Sequence, residues 1–206
     1  YVKVFYGMRD GFFARLPIPP WTKPAVGGLL LALLGIAVPQ VLGGGYGWLQ
    51  LTIDGQLPFA LLAILLPAKI LATSLTIGSG GSGGVFAPSL VIGGVAGAVF
   101  AGLAERAAPQ LAPPTAACVL VGMGGFFAAV AKVPVASLIM VAEMSGSYGL
   151  LVPMMLVSSV AYLLMRGVSI YEKQVPGRID SPAHVGEFQV DVLERLTVRE
   201  VMDPNQ

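Results

Sequence analysis

The stretch GSGGSGGVFAPSL, Gly78–Leu90, has the residue types that can hold an anion with backbone groups alone. Gly78, Gly80 and Gly83 satisfy G-x-G-x-x-G, and Glu105 follows at about the distance of a ribose-binding acid. That pattern carries dinucleotide chemistry only between a strand and a helix, with a second strand bearing the acid. Here a run of roughly 20 apolar residues precedes the loop, too long for an ordinary strand. Glu105 leads into Arg106 and AAPQLAPP, and no Gly-Lys-Ser/Thr follows the glycines. The sequence therefore points away from a nucleotide loop.

The physical possibilities of the stretch remain. Pro88 suits the first turn of a helix, where its missing N–H is not needed, so the spacing predicts a helix from Phe86 or Ala87. The first N–H groups of a helix have no partner inside it, and together they carry about half a positive charge. Glycines ahead of them let a ligand approach the backbone. Such a site replaces an anion's water without forming a deep trap, which suits transport. A glycine loop that packs helices explains the same residues equally well on this evidence.

Other reactive side chains are few. Lys69 sits in an apolar run and is either a structural donor or part of a site. Glu143 lies in a second apolar run, where a hydrogen-bonded structural carboxylate is the favoured reading over a proton-pathway group. An unpaired buried one would be costly or stay protonated. Cys118 is the only cysteine, which excludes a disulfide framework, and is read as a packing residue. His184 is a lone loop histidine, read as solvated. No nucleophile–base pair or metal-ligand spacing is present, so the sequence gives no sign of an enzyme, a metal site or an organic cofactor.

The elements that must position these groups are membrane helices. The 206 residues are 55% hydrophobic and 11% charged, with mean hydropathy +0.80. Soluble domains average roughly 25% charged. Six charges lie between Pro24 and Met165 and twelve from Arg166 onward, so a membrane part and a water-facing tail meet near Arg166. A net charge of +1 offers no signal for nucleic acid. Residues 1–23 carry Lys3, Arg9, Arg15 and Lys23 against Asp10, which suggests the cytoplasmic side. There is no signal-peptide or transit-peptide layout, and the chain reads as starting partway through a larger protein.

The apolar runs are Pro24–Leu42, Leu57–Ile77 (with Pro67 expected to kink it), the helix after the Gly-rich loop, Thr115–Lys132, Pro134–Met144 and Leu150–Met165. The stretch GGGYGWLQLTIDGQ reads as a turn-rich connection, and Gly122, Gly124 and Gly125 are expected to break the Thr115 run. Gly93-x-x-x-Gly97 and Ala98-x-x-x-Gly102 put small residues on helix faces, as in close membrane packing. Pro134–Met144 would span only ~16 Å as a helix, short of a ~30 Å hydrocarbon core. Short, Gly/Pro-interrupted segments point to broken helices whose ends meet in protein or line a cavity.

Three further strings, in order, are GGVFAPSL, GMGGFFAAVAKVPVASLIMVAEMSGSYGLLVPMM and SIYEKQVPGR. Together they resemble the CLC family of chloride channels and chloride/proton antiporters, over about residues 1–180. The resemblance implies an all-α integral membrane fold of tilted, partly spanning helices in two inverted halves, of which this chain is similar to the second. It implies chloride as the transported ligand, a first half of the same transporter as partner, and a homodimer in the lipid bilayer. The helices at Pro134–Met144 and Leu150–Met165 would contribute to the dimer face.

It also implies that the N–H groups of Val85 and Phe86, next to Gly84, bind the central anion. Gly80, Gly83 and Pro88 would support the loop. The hydroxyl of Tyr171, at the start of a helix after RGVSI, would be the other donor. On its own residues Tyr171 reads as an interfacial tyrosine. Ser82 stands where the family often has proline. The family's serine-bearing anion motif and its gating and proton glutamates belong to the first half. Residues 181–206 read as a cytoplasmic linker, and LTVREVM resembles the opening of a CBS-type domain. Two rivals follow from the same sequence: a transporter of another small anion such as fluoride or nitrate, or another substrate, and a non-transporting membrane fragment or assembly subunit.

Overall fold

The computed structural model describes residues 1–175 and 177–184. Among them the regular structure is entirely helical. A short α1, Val2–Tyr6, runs on into a π-helical segment, Gly7–Phe13, closed by the i→i+5 bond from the Ala14 N–H to the Arg9 carbonyl (2.9 Å). The apolar runs become α2 (Lys23–Ala37), α4 (Phe59–Gly78), α5 (Phe86–Ala107), α6 (Thr115–Ala131), α7 (Pro134–Ser145) and α8 (Leu151–Leu164), with α3 (Tyr46–Ile53) between α2 and α4.

Helices Pro20–Ala37, Phe59–Gly78 and Phe86–Ala107 are long and apolar enough to cross a membrane. The 12 residues of α7 and 14 of α8 give ~18 and ~21 Å, so neither crosses a hydrocarbon core upright. This is the mixture of whole and partial spans that the run lengths predict.

Two glycine expectations change. Gly122, Gly124 and Gly125 do not break α6, which is continuous. They are its packing surface. A Cβ at Gly93 would lie 2.6 Å from the Gly122 carbonyl oxygen, and one at Gly97 would overlap the carbonyl oxygen of Cys118. The α5 and α6 backbones therefore touch, which only small residues permit. Cys118 itself is half-buried at this seam. In the connection after α2, Gly45 adopts φ +84° and opens α3, whose Leu49 packs onto α5 at Gly94. Packing of that apolar face makes a helix where glycines and aromatics read as turns. Helix α4 passes through Pro67, which faces outward, without ending.

The chain divides into two compact units, Tyr1–Ile170 and a second beginning at Tyr171. The first closes on itself near its end. The Ile170 N–H donates to the Val130 carbonyl (2.9 Å), and the Tyr6 hydroxyl lies 3.2 and 3.1 Å from the carbonyls of Ser169 and Ile170. In the second unit Tyr171 does not start a helix. It begins a single turn, the Gln174 N–H reaching its carbonyl at 3.1 Å. Pro176 disfavours helical backbone at Val175, which leaves no room for a second turn. The LTVREVM segment lies outside the described residues, as does the side chain of His184.

Candidate functional site

The Gly-rich stretch is a helix stop followed by a helix start. The N–H of Gly81 bonds the Thr76 carbonyl (3.1 Å) and that of Gly80 bonds the Ile77 carbonyl (3.0 Å), with Gly80 at φ +89°. This is a Schellman end to α4, and the left-handed position is why glycine is needed there. Gly78 has a different task. A Cβ on it would come within 3.4 Å of the Arg9 backbone. The G-x-G spacing thus records a helix terminus and a packing contact.

Val85 caps α5, and Phe86 is its first residue, as the Pro88 position predicts. Among the described residues the N–H groups of Val85 and Phe86 meet no protein acceptor. Both donors stand at the positive end of a 22-residue helix. The Phe86 ring meets Phe127 edge-on at 5.0 Å, which anchors the helix start to α6.

A cavity of about 510 Å³ opens in front of this end. Gly83, Gly84, Phe86 and Pro88 line it, with Lys69 and Thr73 from α4. Among the described residues no Asp or Glu lines it. Thr73 and Thr76 donate their hydroxyl protons back into α4, to the carbonyls of Lys69 and Ala72, each at 2.9 Å. The neutral donors beside the cavity are then the first N–H groups of α5, the loop N–H groups and the Ser82 hydroxyl, which also lines it. Lys69, Thr73 and Thr76, at i, i+4 and i+7, form one polar stripe on an apolar helix; that spacing was a readable signal for the two threonines.

The structure thus brings Gly83, Gly84, Phe86 and Pro88 to one cavity wall, with Val85 at the cap behind them. Gly80 stands at the turn that delivers them. Tyr171 lies in the second unit and is 41% exposed. Glu143 is exposed on the last turn of α7, not buried as its apolar run suggested. It is hydrogen-bonded as expected: the Tyr148 hydroxyl donates to its carboxylate at 2.5 Å. That bond and the carboxylate's charge raise the pKa of the Tyr148 phenol above its ordinary value.

Fold and site together define a helical integral membrane protein with a helix start beside an open cavity. The family model described as voltage gated chloride channel matches residues 1–166, and the chain belongs to that family, one of channels and transporters rather than enzymes. Its relatives include a ClcB-like protein of Ralstonia nicotianae described as a chloride channel, 35% identical over 74% of this chain and 36% of its own length. An H(+)/Cl(-) exchange transporter ClcA of Vibrio campbellii is 33% identical over 74% of this chain and 33% of its own length. The chain spans about a third of the length of these curated relatives.

Proposed function

We propose that this chain supplies the second inverted half of a chloride transport unit, with the N–H groups of Val85 and Phe86 as ligands of the anion. The observation that carries this is the pair of donors at the start of α5 that meet no protein acceptor among the described residues, beside a cavity lined by no carboxylate among those residues. Backbone dipoles attract a halide yet release it, because they carry partial charge only. The first half of the pathway would come from the rest of the same transporter.

The role of Tyr171 as a hydroxyl donor to the same anion rests on the resemblance of SIYEKQVPGR. The cytoplasmic placement of residues 1–23 and of the tail rests on charge, and the CBS-type start on LTVREVM. A homodimer through α7 and α8 accords with the apolar side chains those helices leave exposed, among them Val135, Ile139, Val152, Leu156 and Val160. Lipid is the other apolar surface able to cover them.

The test is chloride efflux from liposomes holding the complete transporter, with fluoride and nitrate as competitors. Flux that follows another anion and ignores chloride would overturn the reading. Proton movement coupled to chloride would assign exchange, and its absence a channel; the relatives' descriptions include both. Tyr171→Phe removes one hydroxyl donor. It is expected to weaken chloride binding by roughly 10-fold, the scale of one hydrogen bond to a charged ligand. Calorimetric titration with chloride checks this, and unchanged affinity would remove Tyr171 from the site.

A further inference from the structure

Lys69 lies in the middle of α4 and is 2% exposed. Placing an ammonium there costs several kcal/mol unless its donors are paired. No carboxylate pairs with it among the described residues. Its Nζ donates instead to the carbonyls of Val41 and Gly43, both at 2.8 Å. An ammonium has three N–H donors, so these two bonds leave one in hand.

The place of those two carbonyls matters. Val41, Gly43 and Lys69 line the same cavity as Gly84 and Phe86. Without the ammonium, two unpaired carbonyl oxygens would stand at a chamber meant for an anion, with their negative ends free. With it, they are capped, and the chamber wall carries a positive charge that no acidic lining residue offsets among the described residues. Buried charge is screened little by salt. The carbonyls also temper the ammonium, so it adds attraction without becoming the deep trap that a bare lysine would make.

We infer that Lys69 is a positioning residue of the anion site: it clasps the Val41–Gly43 loop and sets the positive potential of the cavity in front of α5. This rests on the reading of Val85 and Phe86 as anion ligands. Glutamine in place of Lys69 offers two N–H donors for the two carbonyls but no charge, so it separates clasp from charge. Arginine keeps both.

The experiment measures chloride dependence of flux in the complete transporter, reconstituted as wild type, Lys69→Gln, Lys69→Arg and Lys69→Met. Lys69→Gln is expected to raise half-saturating chloride about tenfold, equivalent to ~1.4 kcal/mol, with a smaller change in maximal flux. Lys69→Arg is expected to stay near wild type. Lys69→Met should also lower the melting temperature; if it fails to purify, the Gln/Arg comparison carries the test. A purely structural lysine would move melting temperature and leave half-saturation alone. Unchanged half-saturation in Lys69→Gln, or equal impairment in Lys69→Arg, overturns the inference. Absence of chloride flux from the wild type would instead refute the proposed function.

Discussion

Gly97→Val in the complete transporter is expected to abolish the folded protein, and Gly97→Ala to destabilise it at or beyond the upper end of the ~1–3 kcal/mol usual for overpacking. The reason is the identity of the neighbour. A Cβ at Gly97 would overlap the Cys118 carbonyl oxygen and lie 2.6 Å from the carbonyl carbon. Both are backbone atoms inside α6, so no rotamer change relieves the clash; the helices must separate. Separation is costly because the same seam closes again at Gly93 against Gly122, and because α5–α6 is the most extensive helix pair in the first unit. Gly28→Ala is the matching control. Gly28 is also helical, on α2, but a Cβ there meets nothing within 4 Å. It should be neutral or slightly stabilising, since alanine is the better helix former. Melting in detergent, followed by size-exclusion profile, distinguishes the two. A Gly97→Ala protein that melts like Gly28→Ala would show that the seam is not close-packed.

That seam also shows what sequence reasoning sees and misses. Gly93-x-x-x-Gly97 was legible as a close-packing face because its spacing lies on one helix. The glycines of α6 were misread as breaks, since propensity alone makes glycine a weak helix residue; contact of Gly122 with α5, and of Gly124 and Gly125 with α8, overrides it. The same override produces α3, where Leu49 seats on Gly94. Conversely, the start of α5 was readable to within one residue. Pro88 in the first turn and a glycine helix stop upstream are local signals that need no partner. The G-x-G-x-x-G match misled only as a label, because its glycines answer to separate local demands. Tyr171 marks the other limit: its hydroxyl is visible in sequence, but the turn it begins depends on Pro176, five residues away. For Lys69 the sequence left two readings standing. Its carbonyl partners, Val41 and Gly43, lie 28 and 26 residues earlier, beyond the reach of any periodicity.

The sharpest test of the α5 terminus removes a backbone donor without removing the helix. Val85→Pro does this. Val85 is the cap residue at φ −91°, near enough to proline's ≈ −65 ± 15° for modest strain, and its N–H bonds no protein acceptor among the described residues. Its carbonyl, which accepts from the Ser89 N–H and hydroxyl, is untouched. Phe86→Pro would be less clean, because it forces a pre-proline position onto the αR backbone of Val85 and loses the ring contact with Phe127. Val85→Ala shortens the side chain but keeps the N–H, so the difference between the Pro and Ala variants isolates the donor. One hydrogen bond to a charged ligand contributes about 1.5–3 kcal/mol, or roughly 10- to 150-fold in affinity. Chloride titration of the purified complete transporter should therefore give Val85→Pro a dissociation constant at least about tenfold above that of Val85→Ala, with both melting near wild type. Equal constants would mean that the anion does not use this N–H. The positive end of α5 would then act, if at all, through Phe86 and the helix field, and the weight of the site would shift to the Lys69 side of the cavity.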